Sequence, residues 1–137
     1  MSNATFTLGR FNPPTEEGHG KLVSAVQQHA EKTGGEHYIF PTHTQDKKKN
    51  PMSHADKVSA MKKLFPKANV VSHEGVRTAI DAVKHLESKG HTHVTMVVGS
   101  DRVGEFHSLL NKYRKKEFPK VKKISVVSAG NLSLIHI

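Results

Sequence analysis

The chain of 137 residues has no cysteine and no tryptophan, and aromatic side chains make up 6% of it. Without cysteine there is neither a disulfide framework nor a thiolate metal site, so a cytoplasmic location is expected. So few aromatic rings leave little on which single-stranded bases could stack. No apolar run reaches the roughly 18 residues of a membrane span, and no charged-then-apolar leader precedes the first strand pattern. Acidic residues are also short, 12 against 21 Lys and Arg, for a formal charge of +9. That excess suits a polyanionic partner, and a nucleic acid or a nucleoside triphosphate would satisfy it equally. The length allows one layered core but not two.

What is present is an alternation. Five segments read as strands: "ATFTLGRF" from Ala4, "HYIFP" from His37, "ANVVS" from Ala68, "HVTMVVGSD" from His93 and "KISVVSA" from Lys123. In the first, Phe6 and Leu8 share a face at the strand period of two. Four helical segments lie between them. The first, "EEGHGKLVSAVQQHAEKT", is stopped by Gly34 and Gly35. The second, "HADKVSAMKKLF", follows Ser53 as N-cap, with Val58, Met61, Leu64 and Phe65 as its apolar stripe and Pro66 as its stop. The third, "EGVRTAIDAVKHLESKG", turns Val76, Ile80, Val83 and Leu86 inward and ends at Gly90. The fourth is the basic "RVGEFHSLLNKYRKK". This alternation predicts a Rossmann-like α/β fold: an open, mostly parallel five-stranded sheet with helices on both faces. If the strand order is 3-2-1-4-5, ligands sit outside the carboxyl ends of the first and fourth strands, where the order reverses.

The two loops at that point are the most glycine-marked strand ends in the chain, "GRFNPPTEEGH" and "GSDR". The first is neither a dinucleotide fingerprint nor a Walker loop, since G-x-G-x-x-G and G-x-x-x-x-G-K-[ST] are both absent. Gly9 lets a ligand approach the backbone, Pro13 and Pro14 stiffen the turn, and the helix start behind them directs free N–H groups outward. Thr15 and His19 are four apart and share a helix face, where an imidazole can donate to a phosphate oxygen. Arg10, Lys47, Lys48 and Lys49 are further phosphate candidates, while Asp101 could cap the last helix, contact a ligand, or do both. Arg102 could bind phosphate or lie on the surface, and Arg77 is a weaker candidate. His91 and His93 form an H-x-H pair without an evident third ligand, so no metal site is expected from them. Lys112, Arg114, Lys115 and Lys116 read as a solvated helix face.

"GRFNPPTEEGH" resembles the first signature of the HIGH-superfamily nucleotidyltransferases, G-x-F-x-P-x-[HT]-x-G-H. It is most similar to the nicotinamide-nucleotide adenylyltransferase-like group, including phage-encoded members with G-R-F-N-P-P-T-x-G-H. "QDKKKNPM", "KVSAMKKLFP" and "MVVGSDRVGEF" extend the resemblance over most of residues 4–130. The resemblance implies transfer of a nucleotidyl group, most simply adenylyl from ATP, to a phosphorylated acceptor such as nicotinamide mononucleotide, with release of pyrophosphate. Cytidylyl transfer and a non-enzymatic nucleotide-binding module are the alternatives. It further implies Mg2+ accompanying the ATP, no membrane, and no functional nucleic acid, with self-association left open. His19 matches the second signature histidine and Thr15 the first signature position. Gly9, Arg10, Phe11, Asn12, Gly18, Lys48, Lys49, Gly99, Asp101 and Arg102 are implied to surround the nucleotide and its phosphates.

The chain departs from the family pattern twice. Three residues, Glu16, Glu17 and Gly18, separate Thr15 from His19 where the family has two, though spacings of three and four both return to one helix face. After the last strand the family continues as I-S-[AS]-[ST]-x-[ILM]-R, whereas this chain reads "NLSLIHI". The codons for "LSLIHI" can match a transposon-end sequencing adaptor. The expectation is therefore a nucleotidyltransferase domain over 1–130, cut short at its C-terminal side, with 131–137 as a non-native or unstructured tail.

Overall fold

The structure, a computed structural model, describes residues 3–9, 16–43 and 53–129. Its strands are β1 (Asn3–Gly9), β2 (Glu36–Pro41), β3 (His93–Val98) and β4 (Lys123–Ser128). The helices are α1 (Glu16–Thr33), α2 (His54–Leu64), α3 (Ala79–Ser88) and α4 (Val103–Glu117), with a short 3-10 turn at Ser100–Arg102. The strands form one all-parallel sheet in the order β2-β1-β3-β4. None of the described helices is long and apolar enough to cross a membrane.

Strand alternation sends odd and even residues to opposite faces, and a separate core forms on each. On one face Phe6, Phe40, Met96 and Ile124 pack against Ala82, Val83 and Leu86 of α3 and Leu110 of α4. On the other, Ile39 and Val97 pack against Val23 and Val26 of α1 and Val58 and Met61 of α2. The two-sided α/β arrangement expected from sequence is what forms. Among the described residues one strand fewer is present, because the predicted strand 68–72 shrinks to a single parallel bridge between Val70 and Ile39. Ile39 N–H donates to Asn69 O and Val71 N–H to Ile39 O, but the N–H of Asn69 turns to the His37 ring instead of a backbone carbonyl. The segment must also carry the chain from the α2 face to the α3 face, and it turns at His73–Gly75 before a ladder can extend. It still lies at the outer edge of β2, where the expected order places it.

Local signals explain most element ends. Gly34 ends α1 with φ 74°, while Gly35 follows with its N–H on Ala30 O at 2.9 Å. Ser53 caps α2 by accepting from Asp56 N–H at 3.2 Å. The third helix starts later than expected, at Ala79 and not near Glu74, because Thr78 and Asp81 form a reciprocal capping box. Val76 is buried but precedes the helix, and Ile80 is half-buried. Leu64, expected inward on α2, is 37% exposed, and the place on that helix's inner face goes to Lys57, at 0%.

At the amino ends of the strands, Tyr38 donates its hydroxyl hydrogen to Glu36 and lies 2.8 Å from Nε2 of the buried His91. Burial and the Glu36 carboxylate resist phenolate formation there, so the Tyr38 hydroxyl keeps its proton at any physiological pH. Burial is also the first cause that lowers the pKa of six imidazoles: His19, His29, His37, His54, His85 and His91. A base whose folded-state pKa is lowered binds its proton more readily when unfolded. Its contribution to stability is therefore intact above the unfolded value of about 6.5 and is lost as pH falls below it.

Two measurements follow. Urea-derived stability should hold near neutral pH and decline as pH is lowered from about 6.5 towards 5. Separately, a Cβ at Gly35 would stand 2.4 Å from the backbone oxygen of Asn3, whereas one at Gly34 meets nothing within 4 Å. Gly35→Ala should thus cost about 1–3 kcal/mol through overpacking. Gly34→Ala should cost about 1–2 kcal/mol through its left-handed backbone alone, and the two midpoints separate the causes.

Candidate functional site

Because every strand is parallel, all carboxyl ends lie along one edge, and the ladders there are not equally long. β1 pairs with β2 as far as Gly9–Pro41, and β3 pairs with β4 as far as Val98–Ser128. The β1–β3 ladder stops earlier, at Phe6–Met96. Past that point the Thr7 hydroxyl donates to Val97 O at 2.8 Å, so a buried side chain takes over from the backbone ladder. The place where the central strands cease pairing is also where the crossovers diverge to opposite faces. It is the topological switch point at which open α/β sheets bind ligands.

Several sequence candidates meet at this edge. Gly9 closes β1 and Gly18 and His19 lie in the first turn of α1, while Gly99 and Asp101 follow β3. His19 is half-buried, and burial holds its pKa below the ordinary value, so its ring is neutral near pH 7 and offers one N–H. Gly99 has an unremarkable φ of −65°, and a Cβ there would sit 3.0 Å from Oδ1 of the exposed Asp101 side chain. The Asp101 carboxylate therefore lies back over the end of β3. It is not a helix cap, since α4 has Arg102 at its N-cap with no side-chain cap bond. Arg102 lies 4.9 Å over the Phe106 ring and 3.6 Å from Glu105, along its own helix. Arg10, Phe11, Asn12 and Thr15, and the lysines Lys47, Lys48 and Lys49, lie outside the described residues, as does the tail 131–137.

The sequence reading missed the residue that ties this edge together. Thr42, just past β2, donates its N–H to Gly9 O at 2.8 Å and so holds the root of the glycine-proline loop. Its hydroxyl oxygen accepts from the buried Lys57 Nζ at 3.2 Å, and its carbonyl accepts from His54 Nδ1 at 3.1 Å. His54 stacks on His43 with ring centroids 3.8 Å apart, and its Nε2 accepts from the Ser72 hydroxyl at 2.9 Å. Burial above all, opposed by the Thr42 carbonyl and aided by His43, Lys57 and Arg77, holds the His54 pKa below its ordinary value and the ring neutral near pH 7. Lys57 was concealed because a lysine four residues after a cap reads as solvated, although its long apolar stem lets it lie inward on the same helix as Met61. Among the described residues, no group of three or more His, Asp or Glu side chains is arranged to hold a metal ion. His91 is instead committed to Tyr38, and His93 Nδ1 to the Thr92 hydroxyl at 3.0 Å.

An open parallel sheet with its switch point between two glycine-ended strands and beside a histidine-bearing helix start is the arrangement at which α/β domains hold their ligands. The cytidylyltransferase-like family model matches residues 6–129, and the chain belongs to that family, within the HIGH-superfamily nucleotidyltransferases. Members of the family bind nucleoside triphosphates. Comparison with curated proteins finds no match.

The Thr42 junction carries its own test. Thr42→Val keeps the shape but removes one acceptor from a buried ammonium, and should destabilise by about 1–3 kcal/mol. Thr42→Ser keeps the oxygen and should cost less than half as much in the same denaturation experiment.

Proposed function

We propose that this domain transfers an adenylyl group from ATP to a phosphorylated acceptor, with nicotinamide mononucleotide the first candidate. The observation that carries the reading is the early end of the β1–β3 ladder at Phe6–Met96, facing the His19 end of α1. The glycines at the ends of these strands, Gly9 and Gly99, and the N–H groups at the start of α1 suit a triphosphate needing N–H donors at close range. In the proposed reaction an acceptor phosphate oxygen attacks the α-phosphorus. The bond from that phosphorus to the bridging oxygen breaks, and pyrophosphate leaves with the electron pair. Negative charge grows on the α-phosphate oxygens as the transition state forms, and in this reading the His19 N–H donates to them, with Thr15 as a second contributor. Positioning and charge stabilisation supply most of the catalysis in such reactions.

Gly9, Gly18 and Gly99 keep side chains out of the phosphate path. Arg10, Lys48, Lys49 and Arg102 are proposed to balance charge on the triphosphate, and Phe11 and Asn12 to line the nucleotide. Mg2+ arrives with ATP as part of the substrate, and a single carboxylate such as Asp101 suits the sparse protein ligation that this ion prefers. Cytidylyl transfer is the second reading, favoured by the family's description as cytidylyltransferase-like. No role in nucleic-acid binding is proposed, and the setting is taken to be the cytoplasm.

The experiment measures pyrophosphate release with ATP or CTP against a panel of phosphorylated acceptors. Release with ATP and nicotinamide mononucleotide is expected, release with CTP alone would move the assignment to the second reading, and release with no pair would overturn the enzyme. His19→Ala should keep its thermal midpoint and lower turnover by roughly a hundredfold or more, the usual effect of losing one transition-state donor. Unchanged turnover would remove His19 from the chemistry.

A further inference from the structure

At the amino ends of the strands, on the face that carries α1, one corner of the sheet holds a cavity. α1 lies over β1 and β2 and reaches β3 only in part, while α4 packs on β4 from the opposite face. Parallel strands are ordinarily covered on both faces. Here Thr95, Ser125 and Val127 are only half-buried and Lys123 is exposed. With His29 and Thr33 of α1 as a wall, these residues line a cavity of about 290 Å³.

The floor is built from polar side chains in register. His93 pairs with Lys123 and Thr95 with Ser125, and Asn3 extends the first row onto β1. Members of a pair lie about 4.8 Å apart across the strands, and the two rows are about 7 Å apart along them. The next residues on this face, Val97 and Val127, belong to the apolar core, so the polar floor ends there. The wall is fixed too: Asn3 Nδ2 donates to Thr33 O at 3.3 Å, and the Thr33 hydroxyl donates to His29 O at 3.2 Å. His93 Nδ1 lies 3.0 Å from the Thr92 hydroxyl, which leaves Nε2. Among the described residues, the hydroxyls of Thr95 and Ser125, the His29 ring and the Lys123 ammonium have no hydrogen-bond or ion-pair partner.

Charge selects the ligand. Among the described residues no aspartate or glutamate lines the cavity, and Lys123 brings a full positive charge to it. Burial first, and then the charge of Lys32, hold the His29 pKa below its ordinary value, so its ring is neutral near pH 7 and offers one N–H. We propose that this cavity is a second binding site, for a small hydroxylated oxyanion. The phosphate or carboxylate group sits at the His93–Lys123 row and the hydroxyls sit at the Thr95–Ser125 row. The volume is at the lower limit of small-molecule sites, about 300 Å³, which admits a sugar phosphate or sugar acid and shuts out a nucleoside triphosphate. The site lies a strand length from the carboxyl edge, roughly 16 Å along β3. Its occupancy does not depend on what that edge binds.

Titration of the 15N-labelled full chain with glucose 6-phosphate, gluconate, inorganic phosphate and glucose tests the site. Glucose 6-phosphate or gluconate should shift the amides of 93–95 and 123–125 and saturate with a Kd of about 1 mM or below. Whichever binds more tightly tells a phosphate ester from a carboxylate as the preferred group. Inorganic phosphate should move the same amides with at least about fivefold weaker affinity, because it leaves the hydroxyl row unused. Neutral glucose should not move them. Lys123→Ala should weaken the better ligand roughly tenfold at an unchanged thermal midpoint. Thr95→Val with Ser125→Ala should bring that ligand down to the affinity of inorganic phosphate. Lys122→Ala, which removes an exposed charge outside the lining, should leave binding as it is. No saturable shift at these amides with either sugar anion would overturn the proposal. An equal loss from Lys122→Ala would overturn it too, since it would show diffuse attraction to a basic surface.

Discussion

The whole arrangement depends on the parallel pairing of β1 with β3 and on its stopping at Phe6–Met96. Parallel strands set all their carboxyl ends along one edge, and right-handed crossovers then force successive helices to one face or the other. The two cores follow from that division, with α1 and α2 on one side and α3 and α4 on the other. Where the central ladder ends, the backbone is free to face a ligand. The Thr7 hydroxyl on Val97 O keeps the two strands together just beneath that point.

Around the edge, polar groups are fixed in pairs. Thr42 joins the end of β1 to the first turn of α2 through one amide, one hydroxyl and one carbonyl. Burying Lys57 beside it is costly unless its ammonium is bonded, and the Thr42 hydroxyl supplies one such bond. His54, neutral near pH 7, extends the junction to Ser72. The rim of the candidate site is thus held by hydrogen bonds, while the sheet beneath is held by apolar packing.

Much of this was legible in the sequence because several signals agreed. The bounds of α1 follow from the glutamates at its start and the Gly34-Gly35 pair at its end, and Ser53 is the cap that its position suggested. The switch point followed from topology and glycine placement together. The misses have physical causes. Thr78 and Asp81 moved the start of α3 because a reciprocal cap outweighs apolar periodicity. The "ANVVS" segment has strand-like composition, but it is spent on changing faces and pairs at one position only. Leu64 is partly exposed while Lys57 lies inward, because a lysine stem can fill an apolar niche when its ammonium finds an oxygen. The histidine contacts were invisible, since no periodicity reports which ring nitrogen faces which donor.

The central claim is that the carboxyl edge between β1 and β3 receives a nucleoside triphosphate. Titrating the 15N-labelled chain with Mg-ATP and Mg-CTP tests this most directly. Shifts should concentrate at Gly9, His19, Gly99 and Asp101, leaving Tyr38, His91 and Lys123 at the opposite end of the strands unmoved. Shifts centred on that opposite end, or none with either nucleotide, would contradict the account.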